Sequence, residues 1–299
     1  MAIDVAVVPV AGRGTRLLPL TKSQPKEMLP VGKKPVVQYV AEELALSGIK
    51  RMLFITGPGK TAIENHFDIN EELIWNLREN GQENLLSTLS FEREQIAYFY
   101  SRQRRQLGLG HAVLCARAMV GHESFVVALG DSIIGLHAQS LIVRRMNDLF
   151  ESEQADAVIA FEKVPPDEVV HYGIASVRSE GDGFMELDNL VEKPSPGEAP
   201  SCLAVAARYV FKPVIFDYLA RTDAGKGDEI QLTDAVGSLI RDGGKVLGIS
   251  LPDDERRFDI GNFPSYFRAF FEFALEDPQY GDELKAFVHE RFGDGICKL

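Results

Sequence analysis

The run Val5-Ala6-Val7-Val8-Pro9-Val10 is apolar at every position, rich in β-branched residues, and passes straight into Ala11-Gly12-Arg13-Gly14. A strand wetted on one face alternates polar and apolar residues, whereas an unbroken apolar strand is buried on both faces, as in a parallel sheet covered by helices. Parallel neighbours cannot be joined by a tight turn and need crossover segments, most often helices. This opening therefore restricts the chain to an α/β architecture. Ligands of open parallel sheets sit beyond the carboxyl ends of the strands, so the glycine loop is expected at the ligand edge.

The chain repeats the pattern. Val36, Val37, Val40, Leu44 and Ile49 show helical spacing that stops at Ser47-Gly48, and a strand is expected over 52–56. Strands over 96–100, 125–129 and 157–161 alternate with helices over 111–119 and 141–150. Between 172 and 209 the texture changes to short β-prone pieces, 173–177, 184–192 and 202–210, separated by Gly, Asp and Pro, which read as an antiparallel extension. A helix over 228–240, a strand over 245–250 and helices over 263–275 and 282–291 close the chain. The expected fold is α/β: a Rossmann-like mixed, mostly parallel central sheet with helices on both faces and a small antiparallel extension. No internal repeat or flexible linker divides the sequence, so 1–299 is expected to be a single domain.

Composition sets limits on function. With 32 basic and 44 acidic residues the net charge is -12, a balance that opposes nonspecific attraction to nucleic acid or anionic membranes, so neither is expected as a partner. Cys115, Cys202 and Cys297 have no CxxC spacing, and neither a disulfide framework nor a zinc site is expected. No basic segment precedes an apolar run at the N-terminus, and no apolar stretch approaches the roughly 20 residues that span a bilayer. A cytoplasmic location is expected.

Glycines in the loop after the first strand let backbone amides approach a base, ribose or phosphate. Two common phosphate loops do not fit: a dinucleotide fingerprint needs a third glycine where Leu17 stands, and a Walker loop needs Gly-Lys-Ser/Thr. The loop continues as Thr15-Arg16-Leu17-Leu18-Pro19-Leu20-Thr21-Lys22-Ser23-Gln24-Pro25-Lys26-Glu27-Met28-Leu29-Pro30. The stretch from Gly12 to Pro30 resembles the signature of nucleoside-diphosphate-sugar pyrophosphorylases. The resemblance places Ala11, Gly12, Gly14, Thr15 and Glu27 on the nucleotide, with Arg16 and Lys26 as catalytic cations on the triphosphate. Fixed cations suit this chemistry, because attack on an α-phosphate pushes charge onto the leaving pyrophosphate.

Further motifs extend the likeness in order along the chain. Gly108-Leu109-Gly110-His111-Ala112 is similar to the base loop of the bacterial uridylyltransferase branch, which makes UDP-glucose, and this implies Gln103 and Gly108 at the uracil edge. His111 is expected to be structural at a helix start, since phosphate oxygens need no base. Asp131, just after the strand expected over 125–129, and Asp259, in Arg257-Phe258-Asp259-Ile260-Gly261, match metal-binding aspartates, implying Mg2+ as cofactor. Tyr172-Gly173 and Val191-Glu192-Lys193-Pro194 resemble hexose elements, implying Gly173 and Glu192 on sugar hydroxyls and Lys193 on the sugar phosphate. Asp228 is expected as a helix cap without a catalytic role.

The resemblance implies transfer from UTP to glucose 1-phosphate, giving UDP-glucose and pyrophosphate, by a homodimer or homotetramer. Residues 1–135 then form mainly the nucleotide side, 156–262 mainly the sugar-phosphate side, and 263–299 the C-terminal helices. Two positions depart from the branch: Leu107 stands where lysine is frequent, and Gly130 where proline is frequent. The second is a feature of thymidylyl and adenylyl relatives, which remain alternatives, as does a noncatalytic regulatory homologue. The aromatic helix Phe263, Tyr266, Phe267, Phe270, Phe271, Phe273 is expected to be core, with an assembly surface as the other reading.

Overall fold

The structure is a computed structural model and describes residues 3–93, 96–136, 139–181 and 183–293; Cys297 and the first two residues lie outside it. Strand β1 (Val5–Pro9) is buried on both faces, as its unbroken apolar run requires. After it come short 3₁₀ turns at Thr15–Leu17, Leu20–Lys22 and Lys26–Met28, then a ribbon of β2 (Pro30–Val31) and β3 (Lys34–Pro35). Helix α1 (Val36–Leu46) returns the chain to β4 (Arg51–Thr56). Helices α2 (Thr61–Phe67) and α3 (Glu71–Glu79) lead on to β5 (Ala97–Arg102). The helix expected over 111–119 is two pieces, α4 (Leu109–Leu114) and α5 (Arg117–Val120). Next are β6 (Phe125–Ala128), β7 (Ser132–Ile134), α6 (Ile142–Ser152) and β8 (Ala157–Lys163).

The second half contains β9 (Gly173–Gly181), β10 (Phe184–Glu192), β11 (Leu203–Phe211), α7 (Ile215–Arg221), α8 (Leu232–Arg241), β12 (Val246–Ser250), β13 (Arg257–Asp259), α9 (Phe263–Leu275) and α10 (Gly281–Phe292). Among the described residues the main sheet has nine strands in the order β5-β4-β1-β6-β11-β8-β12-β10-β9. The β5-β4-β1-β6 block is parallel, as is β8-β12. Strand β11 runs antiparallel between β6 and β8 and also meets β9 antiparallel at Ala204 and Ile174, while β9 and β10 form the antiparallel edge. The expectation that 202–210 belongs to the antiparallel extension holds for its orientation and its pairing with β9, but most of the strand lies in the body of the sheet. Every residue of β11 is buried, and a strand apolar on both faces belongs in the middle of a covered sheet rather than at its edge.

Apolar clusters fill both faces. One packs α4, α7 and α8 on the sheet through residues such as Val113, Phe125, Phe216 and Leu239; the other packs α1 and α6 through Val40, Leu44, Phe54 and Met146. A third joins Leu17 and Leu29 of the glycine-loop segment to Ile133, Phe258 and Ile260 of the β7-β13 ribbon and to Tyr266 and Phe273 of α9. That cluster clamps two separate chain segments at one edge of the sheet. The aromatic helix is split in role: Tyr266 and Phe273 are core, whereas Phe267, Phe270 and Phe271 are exposed.

Candidate active site

The glycine loop leaves β1 at its carboxyl end. Gly14 is the position that demands glycine, with φ of 66°, and Thr21 Oγ1 donates to its carbonyl oxygen at 2.7 Å. The 3₁₀ turn at Lys26–Met28 brings the Lys26 ammonium back under the loop, so that a Cβ on Gly12 would lie 3.5 Å from Lys26 Nζ. Ala11 is buried, while Gly12, Thr15 and Arg16 are open to solvent. Glu27 is buried beneath them, and Lys60 Nζ donates to its carboxylate at 2.7 Å. Burial pushes the Glu27 carboxyl up, with Lys60 and Lys26 pulling against it. The geometry thus gives Glu27 a partner inside the protein.

Asp131 follows β6, and its carboxylate receives a hydrogen bond from Lys26. Asp259 is the last residue of β13, opposite Ser132 of β7, whose hydroxyl is 3.4 Å from Asp259 Oδ1. The Ile260 amide donates to the Asp131 carbonyl oxygen at 2.9 Å. Burial raises Asp131, but the charge and hydrogen bond of Lys26 outweigh it and hold its carboxyl below the usual range. Burial and the charge of Asp131 push Asp259 up, against Arg257, Lys26 and Arg16. Arg16 is therefore close enough for its field to reach Asp259. For Lys26 the neighbouring acids Asp131, Glu27 and Asp259 overcome the opposing effect of burial and raise its pKa.

Beneath this pair lies a buried ion pair. Arg208 donates to both carboxylate oxygens of Glu43 at 2.9 and 2.6 Å and to the Ser132 carbonyl oxygen at 2.9 Å, and it is 0% exposed. A register shift in β11, with Ala207 at φ of 60°, marks the irregularity beside it. Bulges of this kind re-aim a side chain. Here Arg208 fastens the residue next to Asp131 to α1.

Arg257 continues the site towards the extension. Its guanidinium donates to Glu162 at 2.6 Å and lies 4.4 Å over the Tyr172 ring. Tyr172 leads into Gly173, where a Cβ would meet Thr233 Cγ2 at 2.7 Å; Glu192 accepts from Thr233 Oγ1 at 2.9 Å and pairs with Lys193 at 2.9 Å. Lys193 has a left-handed φ of 46°, and its amide donates to the Tyr172 carbonyl at 2.9 Å. Backbone held in that region by surrounding structure is typical of ligand sites.

The base-loop candidates form a third group. Gln103 Nε2 is 3.0 Å from the Gly108 carbonyl oxygen and 2.9 Å from His111 Nδ1, in keeping with a structural role for His111. Gly108 caps α4 at φ of 95°, and a Cβ there would collide with Glu229 and the Ile230 carbonyl. Ile230 also bonds Leu107 and Gly110 through its backbone. The 225–235 motif thus supports this loop from behind. Asp228 is not the helix cap expected of it: it sits in a 3₁₀ turn at φ of 59°, and α8 starts after Gln231.

A model of the family described as nucleotidyl transferase matches residues 5–275. The chain belongs to the nucleotidyl transferase family. This nucleotidyl transferase is 40% identical over 288 residues to a UTP–glucose-1-phosphate uridylyltransferase of Staphylococcus haemolyticus, covering 96% of this chain and 98% of that enzyme. Among solved structures it is similar to a UTP-bound UGPase from Acinetobacter baumannii, with TM-score 0.87, 38% identity, and 97% and 99% of the two chains covered. A UDP-glucose pyrophosphorylase complexed with UDP-glucose matches with TM-score 0.81 and 34% identity over 91% and 98% of the chains. The fold of this nucleotidyl transferase is the expected Rossmann-like one.

One of the two departures, Gly130, has a local account. A Cβ at Gly130 would come within 2.5 Å of Val10 Cγ1, so this nucleotidyl transferase needs glycine where Val10 packs. Leu107 is exposed and its carbonyl accepts from the Ile230 amide at 2.8 Å, a main-chain bond that leaves the leucine side chain itself unexplained. Two supports escaped sequence reading. Gln106 Nε2 donates to the Ala11 carbonyl oxygen at 2.6 Å and its Oε1 accepts from Arg13, tying the base loop to the glycine loop; no local pattern announces it. Arg208, by contrast, is a lone cation inside an apolar strand, a signal that was present.

Proposed function

We propose that this nucleotidyl transferase joins UTP to glucose 1-phosphate, forming UDP-glucose and releasing pyrophosphate. The observation that carries the reading is the convergence of Gly12, Lys26, Asp131 and Asp259 at the carboxyl ends of β1 and β6. The names of the relatives support the substrate pair. In this reading Ala11, Gly12, Gly14 and Thr15 line the nucleotide, with Glu27 holding the loop from below. Gln103 and Gly108 meet the base edge. Arg16 and Lys26 neutralise the triphosphate and stabilise charge spreading onto pyrophosphate. Gly173 and Glu192 receive the hexose, and Lys193 steadies the attacking phosphate. Residues 1–135 serve the nucleotide and 156–262 the sugar phosphate within one domain of 1–299.

The residues present also fit a divalent cation, which we assign as Mg2+. Among the described residues no cluster of three or more His, Cys, Asp and Glu side chains forms a cage, but Mg2+ takes one or two carboxylates and completes its shell with phosphate oxygens and water. Asp131 and Asp259 are such a pair, and their mutual repulsion is what a divalent ion relieves. Bound there, the ion would neutralise phosphate charge.

Attack is direct, from a sugar-phosphate oxygen onto the α-phosphorus. His111 is engaged with Gln103, and burial pushes the nearby Cys115 thiol up, so neither is an activated nucleophile. Among the described residues no helix is long and apolar enough to cross a membrane. The exposed Phe267, Phe270 and Phe287 support assembly into a homodimer or homotetramer, checked by light scattering. The decisive experiment supplies Mg2+, glucose 1-phosphate and each nucleoside triphosphate in turn and measures pyrophosphate. Release with UTP, lost on chelation, is expected. Preference for dTTP or ATP would move the base assignment, and no release with any triphosphate would leave a noncatalytic homologue.

A further inference from the structure

The amide of Gln103 is fixed in one orientation. The side chain is 3% exposed, and Nε2 lies 3.0 Å from the Gly108 carbonyl oxygen and 2.9 Å from His111 Nδ1. An amide NH2 has two hydrogens to donate, and both find an acceptor when Nδ1 is unprotonated. Turning the amide over would set Oε1 against the Gly108 carbonyl oxygen and against the lone pair of Nδ1. The Gly108 carbonyl accepts only the NH2 side of the amide, so the neutral imidazole that burial favours faces that NH2 with Nδ1 as acceptor and carries its proton on Nε2. Oε1 has no partner among the described residues and is the atom left for a ligand.

We propose that His111 is a specificity-determining positioning residue: by accepting from Gln103 Nε2 it presents Oε1 to the base and selects a pyrimidine with a proton on N3 over one with a bare N3. The proposal rests on the assignment of Gln103 to the base edge. Uracil carries N3–H and offers a donor to Oε1. Cytosine has a lone pair at N3 and would meet it with repulsion. A site whose buried polar group faces the wrong partner rejects a ligand far more strongly than a site that is merely misshapen. Thymine shares the N3–H, so this device does not separate UTP from dTTP.

The test compares kcat/KM for UTP and CTP at saturating glucose 1-phosphate in wild type, His111→Leu and His111→Asp. In the aspartate variant an ionised Oδ1 takes the place of Nδ1 and can only accept. The UTP-to-CTP ratio is expected to fall about tenfold in the leucine variant, the scale of one hydrogen bond lost from the lock, and to stay near wild type in the aspartate variant. A purely structural histidine would lower both constants together and leave the ratio unchanged, which overturns the proposal. If the leucine variant does not fold, His111→Asn replaces it: its amide can turn either oxygen or NH2 to Gln103, so its ratio should fall below that of the aspartate variant, and equality of the two overturns the proposal. Wild type without UTP turnover would instead refute the functional reading on which this stands.

Discussion

Asp131 and Asp259 should respond to the same substitution with opposite changes in stability. Asp131→Asn in metal-free protein removes the charge that Lys26 faces, and with side chains only 20% and 18% exposed the ammonium is left poorly solvated. Breaking a fully buried pair costs about 3–5 kcal/mol, so about 2–3 kcal/mol is expected for this partly open one. That corresponds to a fall in Tm of about 4–6 °C in a chain of this length. Asp259→Asn removes a carboxylate that burial and Asp131 destabilise, and should stabilise by about 0.5–2 kcal/mol, the usual scale for relieving an active-site conflict. The signs follow from linkage. The pKa of Asp131 is depressed in the folded state, so its contribution is present above the ordinary aspartate pKa and lost as pH falls through the depressed value. The pKa of Asp259 is raised, so its penalty grows as pH rises from the ordinary value through the raised one. Urea melts with chelator at pH 7.5 and pH 4 measure both effects. The gain from Asp259→Asn should shrink at pH 4, below the raised pKa of Asp259, whereas the loss from Asp131→Asn should stay close to its pH 7.5 value because pH 4 still lies above the depressed pKa. Both variants lose turnover with Mg2+. Destabilisation by Asp259→Asn at pH 7.5 would refute the electrostatic account of the pair.

Lys193→Ala should raise KM for glucose 1-phosphate and lower kcat, whereas Glu192→Ala should act mainly on KM; sugar-phosphate kinetics at saturating UTP separate them, and equal small effects would count against this sugar site. Glu43→Gln should cost about 3–5 kcal/mol in denaturant melts because it strands a buried guanidinium, and Glu43→Gln with Arg208→Met should recover most of that loss. Gln106→Glu keeps an acceptor for Arg13 but loses the donor to Ala11, so KM for UTP should rise several-fold with KM for glucose 1-phosphate unchanged. Direct displacement requires intersecting initial-rate plots and inversion at a chiral α-phosphorothioate; retention with a trapped uridylylated residue would overturn it.

The alternation of buried strands with helices was legible because burial on two faces leaves a continuous apolar signature, as in β1. Strand β11 carried the same signature, yet its flanking turns drew it into the antiparallel group. Short local pieces cannot reveal that a strand crosses back between β6 and β8, since that is decided by pairing over long separations. Lys26, Asp131 and Asp259 were found as separate motifs, but the Lys26–Asp131 hydrogen bond spans 105 residues and only the folded chain creates it. Gln106 shows the same limit: its partners Ala11 and Arg13 are 95 and 93 residues away.

Two like charges at a strand edge are costly to hold together, and the surrounding structure shows how they are held. The Asp131 backbone is tied to Ile260, Ser132 is bound by Arg208, and Arg208 is anchored in α1 through Glu43. The apolar cluster of Leu29, Ile133, Phe258 and Phe273 presses the glycine-loop segment and the β7-β13 ribbon onto α9. These contacts oppose the movement by which two carboxylates would otherwise separate. A rigid pair keeps its repulsion until a cation arrives, so the free energy released on neutralisation is available for binding metal and triphosphate together. Loosening the support should therefore weaken Mg2+ before it weakens the fold. In Phe258→Ala the apparent Mg2+ affinity in the pyrophosphate assay should drop at temperatures well below the Tm of that variant, and unchanged Mg2+ dependence there would show that the ribbon's packing stabilises the protein without serving the site.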